Sequence, residues 1–597
     1  MERNHLAVMI HTQIAKYGDK PVLAQKIDGK WETISWKEMG EQIDAVSKAL
    51  LELDVKENEM VGIFSQNMPQ WAIADYGILS IRGASVPIYA TNTSKQAEYI
   101  VKDAKIKVLF VGSQEQYDNV APFLKSKNIE KVIVFDSTTK IDKSPKVLYF
   151  SDFLEIGKKS KKDKELQKRL GKTKTDDICT LIYTSGTTGD PKGAILTHSN
   201  FYSQFNALDQ RFPMDENNIQ LCFLPLSHAY QRCSDYWVLT HGAMIYYCED
   251  PKKIVDYFGE VRPTYMVGVP RLYEKMYATI YEKLQEASSA KQKLFNWSIE
   301  TGKKYRYKKS EKKFVSPWLS LQHAIAYKLV LSKIRAILGG RLNFFSAGGA
   351  PLAKTIEEFF FAANIFIAQG YGLTETAPMI TCNAPGKFKF GTVGTIVPDV
   401  EVKFDEDGEI LTKGGNLMKG YYNKPKETKA AITSDGWFRT GDIGFLDDEG
   451  FLHITDRKKD IIVTAGGKNI APQNIESTVG KDYYIEQIAV IGDKRKFISA
   501  LVVPAFAALE EYAKSKKIPF STHEDLVNNP RIIEMYRKRI DDLSEGHLAH
   551  YETIKKFKLL PREFSQDTGE ITPTMKIKRK VINERYKDVI DSMYKEN

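Results

Sequence analysis

The sequence predicts an α/β fold with more than one domain, and three observations carry that expectation. First, short apolar, β-branched runs alternate with longer helical patterns: VGIFS (61–65), VPIYA (86–90), KVLFVG (107–112), KVIVFD (131–136), TLIYTSG (180–186), TYMVGV (264–269) and NIFIAQGYG (364–372). Strands that are apolar throughout are usually buried on both faces, so these predict largely parallel sheets covered by helices. Second, from Val400 the spacing tightens into EVKFDEDGEILTKG (401–414) and GWFRTGDIGFLDDEGFLHITDR (436–457), which read as hairpins with Asp/Gly turns in a small antiparallel β subdomain. Third, the chain has 597 residues, whereas a single core stops growing near ~250–300. After DRKKD (456–460), the strands QIAVIGD (487–493) and ISALVVPAF (498–506) and then helical patterns to the end suit a separate α+β domain. The expected division is 1–456, a linking segment 457–460, and 461–597.

With 42% hydrophobic and 27% charged residues, the composition is that of a globular protein rather than a disordered one. Five cysteines (Cys179, Cys222, Cys233, Cys248 and Cys382) show neither close pairing nor metal-ligand spacing, which points to a reducing compartment and away from disulfides or zinc. At the N-terminus the apolar run Leu6 to Ile10 is broken by His11, too short for a signal peptide or anchor. No stretch reaches the roughly 18 apolar residues that span a bilayer. A cytoplasmic location is expected.

The net charge of +10 is concentrated in KKSKKDKELQKRLGKTK (158–174) and KKYRYKKSEKKF (303–314). Two readings stay open: solvated helix faces, or attraction to an anionic membrane surface, which would place the protein peripherally on the inner membrane face. Phe295, Trp297, Phe314 and Trp318 flank the second run and could enter that interface. Nucleic acid is not an expected partner, because no binding module accompanies the charge. A homodimer is left open.

The stretch YTSGTTGDPKGA (183–194) has the composition of a phosphate-holding loop but not the hydrolase P-loop pattern. Asp190 and Pro191 separate Gly189 from Lys192, and Gly193 follows the lysine. It comes directly after an apolar strand, so the hydroxyls of Ser185, Thr187 and Thr188 and the backbone N–H groups of Gly186 and Gly189 could surround phosphate oxygens. A Ser/Thr/Gly connector is the plainer alternative.

Six further motifs follow in order: LPLSHAYQR (224–232), SAGGAPL (346–352), QGYGLTET (369–376), TGDIG (440–444), DRKKDIIVTAGGKNIAPQNIE (456–476) and TPTMKIKRK (572–580). With the first loop, they make the chain resemble the adenylate-forming superfamily of acyl-CoA synthetases, luciferases and peptide-synthetase adenylation domains over nearly its whole length. The resemblance implies a large N-terminal domain and a small mobile C-terminal one. It also implies a reaction in which a carboxylate attacks the α-phosphorus of ATP and expels pyrophosphate, with catalysis coming from positioning and placed positive charge.

The same resemblance implies the roles of single residues. Thr184, Ser185, Gly186, Thr187, Thr188, Gly189 and Lys192 would hold the phosphates, and Glu375 with the Thr184 hydroxyl would bind magnesium, which keeps few protein ligands. Tyr371, with the backbone of Gly348, Gly349 and Ala350, would form the adenine slot, inside an ATP-binding motif that includes Gln369, Gly370, Gly372 and Thr374. Asp442 and Arg457 would meet the ribose. Lys576 would contact the α-phosphate and the attacking carboxylate, although Met575 stands where the family usually has glycine and Lys578 is a rival for the role. Lys459 would be the hinge, Gly466 and Gly467 would pass the pantetheine of coenzyme A, and His228 would line the acyl and thiol approach.

VPRLYEK (269–275), the helical insertion near 285–335 and TPTMKIKRK resemble bacterial long-chain fatty acid ligases. The expected activity is therefore formation of a fatty acyl-adenylate from ATP and its transfer to coenzyme A. Alternatives are a ligase for another carboxylate, one that loads an acyl carrier protein, or an inactive fatty-acid-binding or scaffolding protein. The apolar residues Phe359 to Phe361 could line an acyl tunnel or be plain core.

Overall fold

A computed structural model describes residues 5–124, 129–184, 190–250, 253–465, 468–572 and 576–595. Its architecture is the expected α/β class. Each of the seven apolar runs named first overlaps a strand, and these strands belong to two large sheets. The seven-stranded sheet runs in the order Val147–Tyr149, Lys131–Val134, Val108–Val111, Met60–Ser65, Ala84–Tyr89, Ile178–Thr184, Lys192–Thr197, parallel except for its last pair. The nine-stranded sheet centres on the parallel strands Met244–Tyr247, Ile219–Cys222, Tyr265–Gly268, Phe344–Ala347 and Ile367–Gly372. The expected hairpins form a separate four-stranded antiparallel sheet over Val400–Phe404, Glu409–Gly414, Phe438–Leu446 and Leu452–Arg457.

Two features depart from the sequence expectation. The nine-stranded sheet is extended by the hairpin Pro21–Ile27 and Lys30–Ser35, whose outer strand is only half buried and lacks an apolar run. After residue 506 the chain is not purely helical: Lys556–Leu559 pairs in parallel with Ser499–Pro504. Its sequence, KFKL, has the polar alternation of an edge strand and too few residues to register as a period. Beyond Ile462 the chain has its own cores, one around Ile475, Val502 and Tyr536 and another around Leu501, Phe564 and Ile582.

Two helices are buried along nearly their whole length. Pro69–Ser80 begins with proline at its first position, where no N–H is needed. Ala229–Thr240 is capped by His228, whose Nδ1 accepts the Tyr230 N–H at 3.1 Å. A helix covered all round must satisfy its polar groups internally, and here Arg232 and Asp75 do so as a pair. Arg232 donates to Asp75, to the Tyr236 hydroxyl (2.8 Å), to Thr180 Oγ1 (2.7 Å) and to Ser85. Tyr236 in turn donates to the other oxygen of Asp75 at 2.5 Å. Thr180 and Ser85 belong to the seven-stranded sheet, so one guanidinium joins that sheet to the helix capped by His228.

Breaking a fully buried pair leaves an uncompensated charge, at a cost of about 3–5 kcal/mol. Arg232→Met is expected to lower the unfolding free energy of the N-terminal transition by that amount, read from its denaturant midpoint and slope, and Arg232→Met with Asp75→Leu to recover most of it. Equal loss in the single and double variants would show that packing volume, not charge, is what matters here.

Candidate active site

The site is assembled at the C-terminal ends of strands from both large sheets. Ile178–Thr184 delivers Thr184, whose hydroxyl makes a long 3.5 Å contact with the Lys192 carbonyl across the antiparallel pair. Ser185, Gly186, Thr187, Thr188 and Gly189 lie outside the described residues. On the other sheet, Ile367–Gly372 carries Gln369, Gly370, Tyr371 and Gly372, and a single 3₁₀ turn, Thr374–Thr376, follows. A Cβ on Gly372 would sit 1.7 Å from the Pro378 carbonyl oxygen, so no side chain fits where this strand pairs with Met379–Cys382.

A crossing segment joins the two ends. Residues 419–422 run along Lys192–Thr197 through the Lys419 N–H to the Ile195 carbonyl, the Ile195 N–H to the Gly420 carbonyl and the Tyr422 N–H to the Gly193 carbonyl. Just before them the Met418 N–H donates to the Glu375 carbonyl at 2.8 Å. This places Tyr421 between the two halves: its hydroxyl donates to Glu375 Oε1 at 2.7 Å, and Lys192 Nζ lies 5.0 Å from its ring centre. Burial and then the Glu375 carboxylate push the Tyr421 hydroxyl well above its ordinary pKa, so it remains a donor.

A second tyrosine–carboxylate pair stands beside the first. The Tyr371 hydroxyl donates to Asp442 Oδ2 at 2.7 Å, and Arg457 Nε meets Asp442 Oδ1 at 3.0 Å. Asp442 and Arg457 face each other across two strands of the antiparallel sheet, so pairing register creates that contact. Next to this lies a backbone shelf. Gly348 packs against the Tyr230 ring, to which a Cβ would come within 3.2 Å. Gly349 takes a positive φ of 86° that favours glycine, and Ala350 is exposed. The Tyr230 hydroxyl is held by Ser346 Oγ at 2.6 Å.

Lys576 arrives from the far end of the chain. Its backbone pairs with Thr572, with the Thr572 N–H donating to its carbonyl at 2.8 Å. The side chain keeps contact with solvent while entering a crowded cleft. Burial and the Arg457 guanidinium lower its pKa to about 8, against the opposite pull of Asp442, Glu375 and Asp460. His228 is lowered to about 4, first by burial and then by Lys576. Because its Nδ1 accepts the Tyr230 N–H, the neutral ring carries its proton on Nε2. Lys578, the rival, starts the helix Arg579–Arg585 and donates its N–H to the Glu570 carbonyl.

Lys459 is exposed in the turn after Leu452–Arg457, which is closed by the Asp460 N–H to the Arg457 carbonyl at 2.9 Å. Gly466 and Gly467 lie outside the described residues. Phe359, Phe360 and Phe361 are buried in the helix Lys354–Ala362 and pack as core.

Sequence reasoning missed Tyr421, Tyr230 and the latch made by Arg271. Arg271 donates to the carbonyls of Gly480, Ile485 and Glu486, while Lys275 pairs with Glu486 at 2.8 Å and Tyr484 with Glu282 at 3.0 Å. Tyr421 is 46 residues from Glu375, and no local spacing signals such a pair. Arg271 lies inside the quoted VPRLYEK, but only the folded chain shows what it touches.

The model of the AMP-binding enzyme family matches residues 10–422, and that of the AMP-binding enzyme C-terminal domain matches 459–597. The chain belongs to the AMP-binding enzyme family. It is 34% identical to a long-chain-fatty-acid–CoA ligase of Mycobacterium tuberculosis, over 99% of this chain and 97% of that one. It is 30% identical to a long-chain-fatty-acid–CoA ligase of Homo sapiens, over 97% and 91%. Its fold is that of the adenylation domain of a carboxylic acid reductase from Segniliparus rugosus in complex with AMP and a co-purified carboxylic acid (TM-score 0.78, 21% identity, 100% of this chain and 94% of that one). It is also that of an o-succinylbenzoate–CoA synthetase from Bacillus subtilis bound to ATP and magnesium (TM-score 0.65, 18% identity, 97% and 99%).

The crowding at Lys576 predicts a reactive amine. Competitive acetylation read by peptide mass spectrometry is expected to give a midpoint near pH 8 for Lys576, well below that of ordinary lysines near 10.4. Arg457→Ala removes a repulsive charge and raises that midpoint; Asp442→Asn removes an attractive one and lowers it. A midpoint that neither substitution moves would place Lys576 elsewhere.

Proposed function

We propose that the chain is a magnesium-dependent long-chain fatty acid–CoA ligase, which forms acyl-adenylate and pyrophosphate from ATP and passes the acyl group to coenzyme A. The observation that carries this reading is that Arg457, Asp442 and Glu375, each more than 100 residues from Lys576 in the chain, lie close enough to it to shift its pKa. Identity of 34% over full length to a ligase of that specificity supports the substrate class.

In this reading the adenine lies between Tyr371 and the Gly348–Ala350 shelf, and Asp442 accepts the ribose hydroxyls with Arg457 beside it. The phosphates meet Lys192 and the 185–189 loop. Glu375 and the Thr184 hydroxyl are hard oxygen donors that fit magnesium, which would neutralise charge on the phosphate oxygens. Lys576 reaches the carboxylate as it attacks the α-phosphorus, and its ammonium offsets the repulsion between two anions. His228 Nε2–H lines the acyl approach.

The contacts of Arg271 hold the orientation in which Lys576 faces the nucleotide. Residues 461–597 would act as a body turning about Lys459, so that the loop holding Gly466 and Gly467 replaces Lys576 for thioester formation. An inactive scaffold has no need for two tyrosine-held carboxylates converging on a cation of lowered pKa. A peripheral place on the inner membrane face suits a substrate that partitions into lipid.

ATP–pyrophosphate exchange across acids of increasing length tests substrate class; exchange that rises toward long chains is expected, and exchange confined to short or aromatic acids would overturn it. Lys576→Ala is expected to cut exchange by about 10²-fold or more yet spare thioester formation from supplied acyl-adenylate; equal loss of both would remove the role given to Lys576. Because an ammonium is required, adenylation kcat/KM should fall as pH rises through about 8. Asp442→Asn should weaken ATP by about 10–100-fold, the loss of a charged hydrogen-bond acceptor.

A further inference from the structure

The helix Pro317–Ala326, PWLSLQHAIA, is apolar and without acidic or basic chains other than His323, yet of its ten residues Ala326 alone is buried. An apolar helix ordinarily turns such a surface into a core. Here Trp318 is 66% exposed, Leu321 53% and Ile325 45%, with Phe314 (80%) just ahead and Leu329 (44%) just beyond. Spacings of three and four put Trp318, Leu321, Ile325 and Leu329 on one stripe. The opposite side is tied down, since the His323 and Tyr305 rings stack at 3.8 Å and Ala326, Leu331 and Ile334 pack into the core. The outward direction of the stripe is therefore set by packing.

Lysines surround it: Lys304, Lys308, Lys309, Lys312, Lys313, Lys328 and Lys333 are all exposed. Between residues 301 and 340 the one acidic residue is Glu311, which is paired with Lys313 at 2.7 Å. Of the four aromatics that flank the basic run, Phe295 is buried and Trp297 packs against the same core, whereas Phe314 and Trp318 are exposed.

We propose that this face docks on anionic lipid bilayers. Trp318, Leu321, Ile325 and Phe314 enter the interfacial zone, and the lysines meet lipid phosphates. Charge decides against a second copy of the chain, because two such faces would bring like charges together, whereas an anionic headgroup layer complements them. The benefit of docking rests on the ligase reading, since a bilayer is where a long-chain acid dissolves, but the surface itself does not depend on that reading.

The test is co-sedimentation of the full chain with vesicles of phosphatidylcholine, alone or mixed with phosphatidylglycerol. Binding to the mixed vesicles only, weakened by salt, is expected. Trp318→Ser with Leu321→Ser, and separately Lys308→Glu with Lys309→Glu, Lys312→Glu and Lys313→Glu, should each reduce the bound fraction at least about tenfold. These side chains are exposed, so the fold should tolerate the changes, and ATP–pyrophosphate exchange with a detergent-dispersed acid should stay unchanged. Variants that sediment like the parent chain would overturn the proposal. So would a concentration-dependent dimer abolished by the same variants with no vesicle binding, which would assign the face to a second copy. Vesicle binding without exchange on any fatty acid would sink the ligase reading and leave this one standing.

Discussion

The buried ion pair of Arg232 and Asp75 is the constraint on which the site geometry depends. A guanidinium that is 1% exposed cannot relax toward water, so its donors fix the distance between everything they touch. They touch the helix Pro69–Ser80, the strand ending at Thr184 and the strand Ala84–Tyr89. Four residues before Arg232, on the same helix, is the His228 cap. The strand ending at Thr184 and the His228 cap are thus held by one side chain. Its length and planarity, rather than net stabilisation, are what the arrangement needs, since a buried pair by itself adds little stability.

From that frame the site is built by backbone pairing. The segment 419–422 follows the last strand of one sheet and hands Tyr421 to Glu375 on the other, and the hairpin register sets Asp442 opposite Arg457. Each carboxylate is held by a tyrosine whose own ionisation is suppressed, so both are kept as acceptors in fixed positions. Lys576 enters this field under two opposed influences: partial desolvation and Arg457 favour the free amine, while Asp442 and Glu375 favour the ammonium. Anionic ligands would add to the second group, so occupancy and the charge of Lys576 are linked.

The Arg271 latch shows what keeps the C-terminal part in this orientation. Its contacts are hydrogen bonds to backbone carbonyls and a few ion pairs at the surface. Such contacts orient well but hold weakly, as the proposed rotation about Lys459 requires.

Much of this was legible in the sequence. The apolar runs predicted seven of the sixteen large-sheet strands, because burial on both faces leaves a local signature, and the Asp/Gly turns predicted the antiparallel sheet. The edge strands Lys30–Ser35 and Lys556–Leu559 escaped because half-buried, short strands carry little period. Motif resemblance named Glu375, Asp442, Arg457, Lys576 and His228, since each sits in a local string. Tyr421, Tyr230 and Arg271 could not be found that way, for their meaning lies in partners tens to hundreds of residues distant. Phe295 and Trp318 looked alike beside the same lysines, and only packing separated a core ring from a surface one. By itself, then, the sequence determined which elements form and which residue types are available, because propensity and periodicity are local. The tertiary structure decided which carboxylate meets which tyrosine, which lysine comes under the influence of the site's charges and which apolar helix is left uncovered, because burial and Coulomb interactions depend on distance in space and not along the chain.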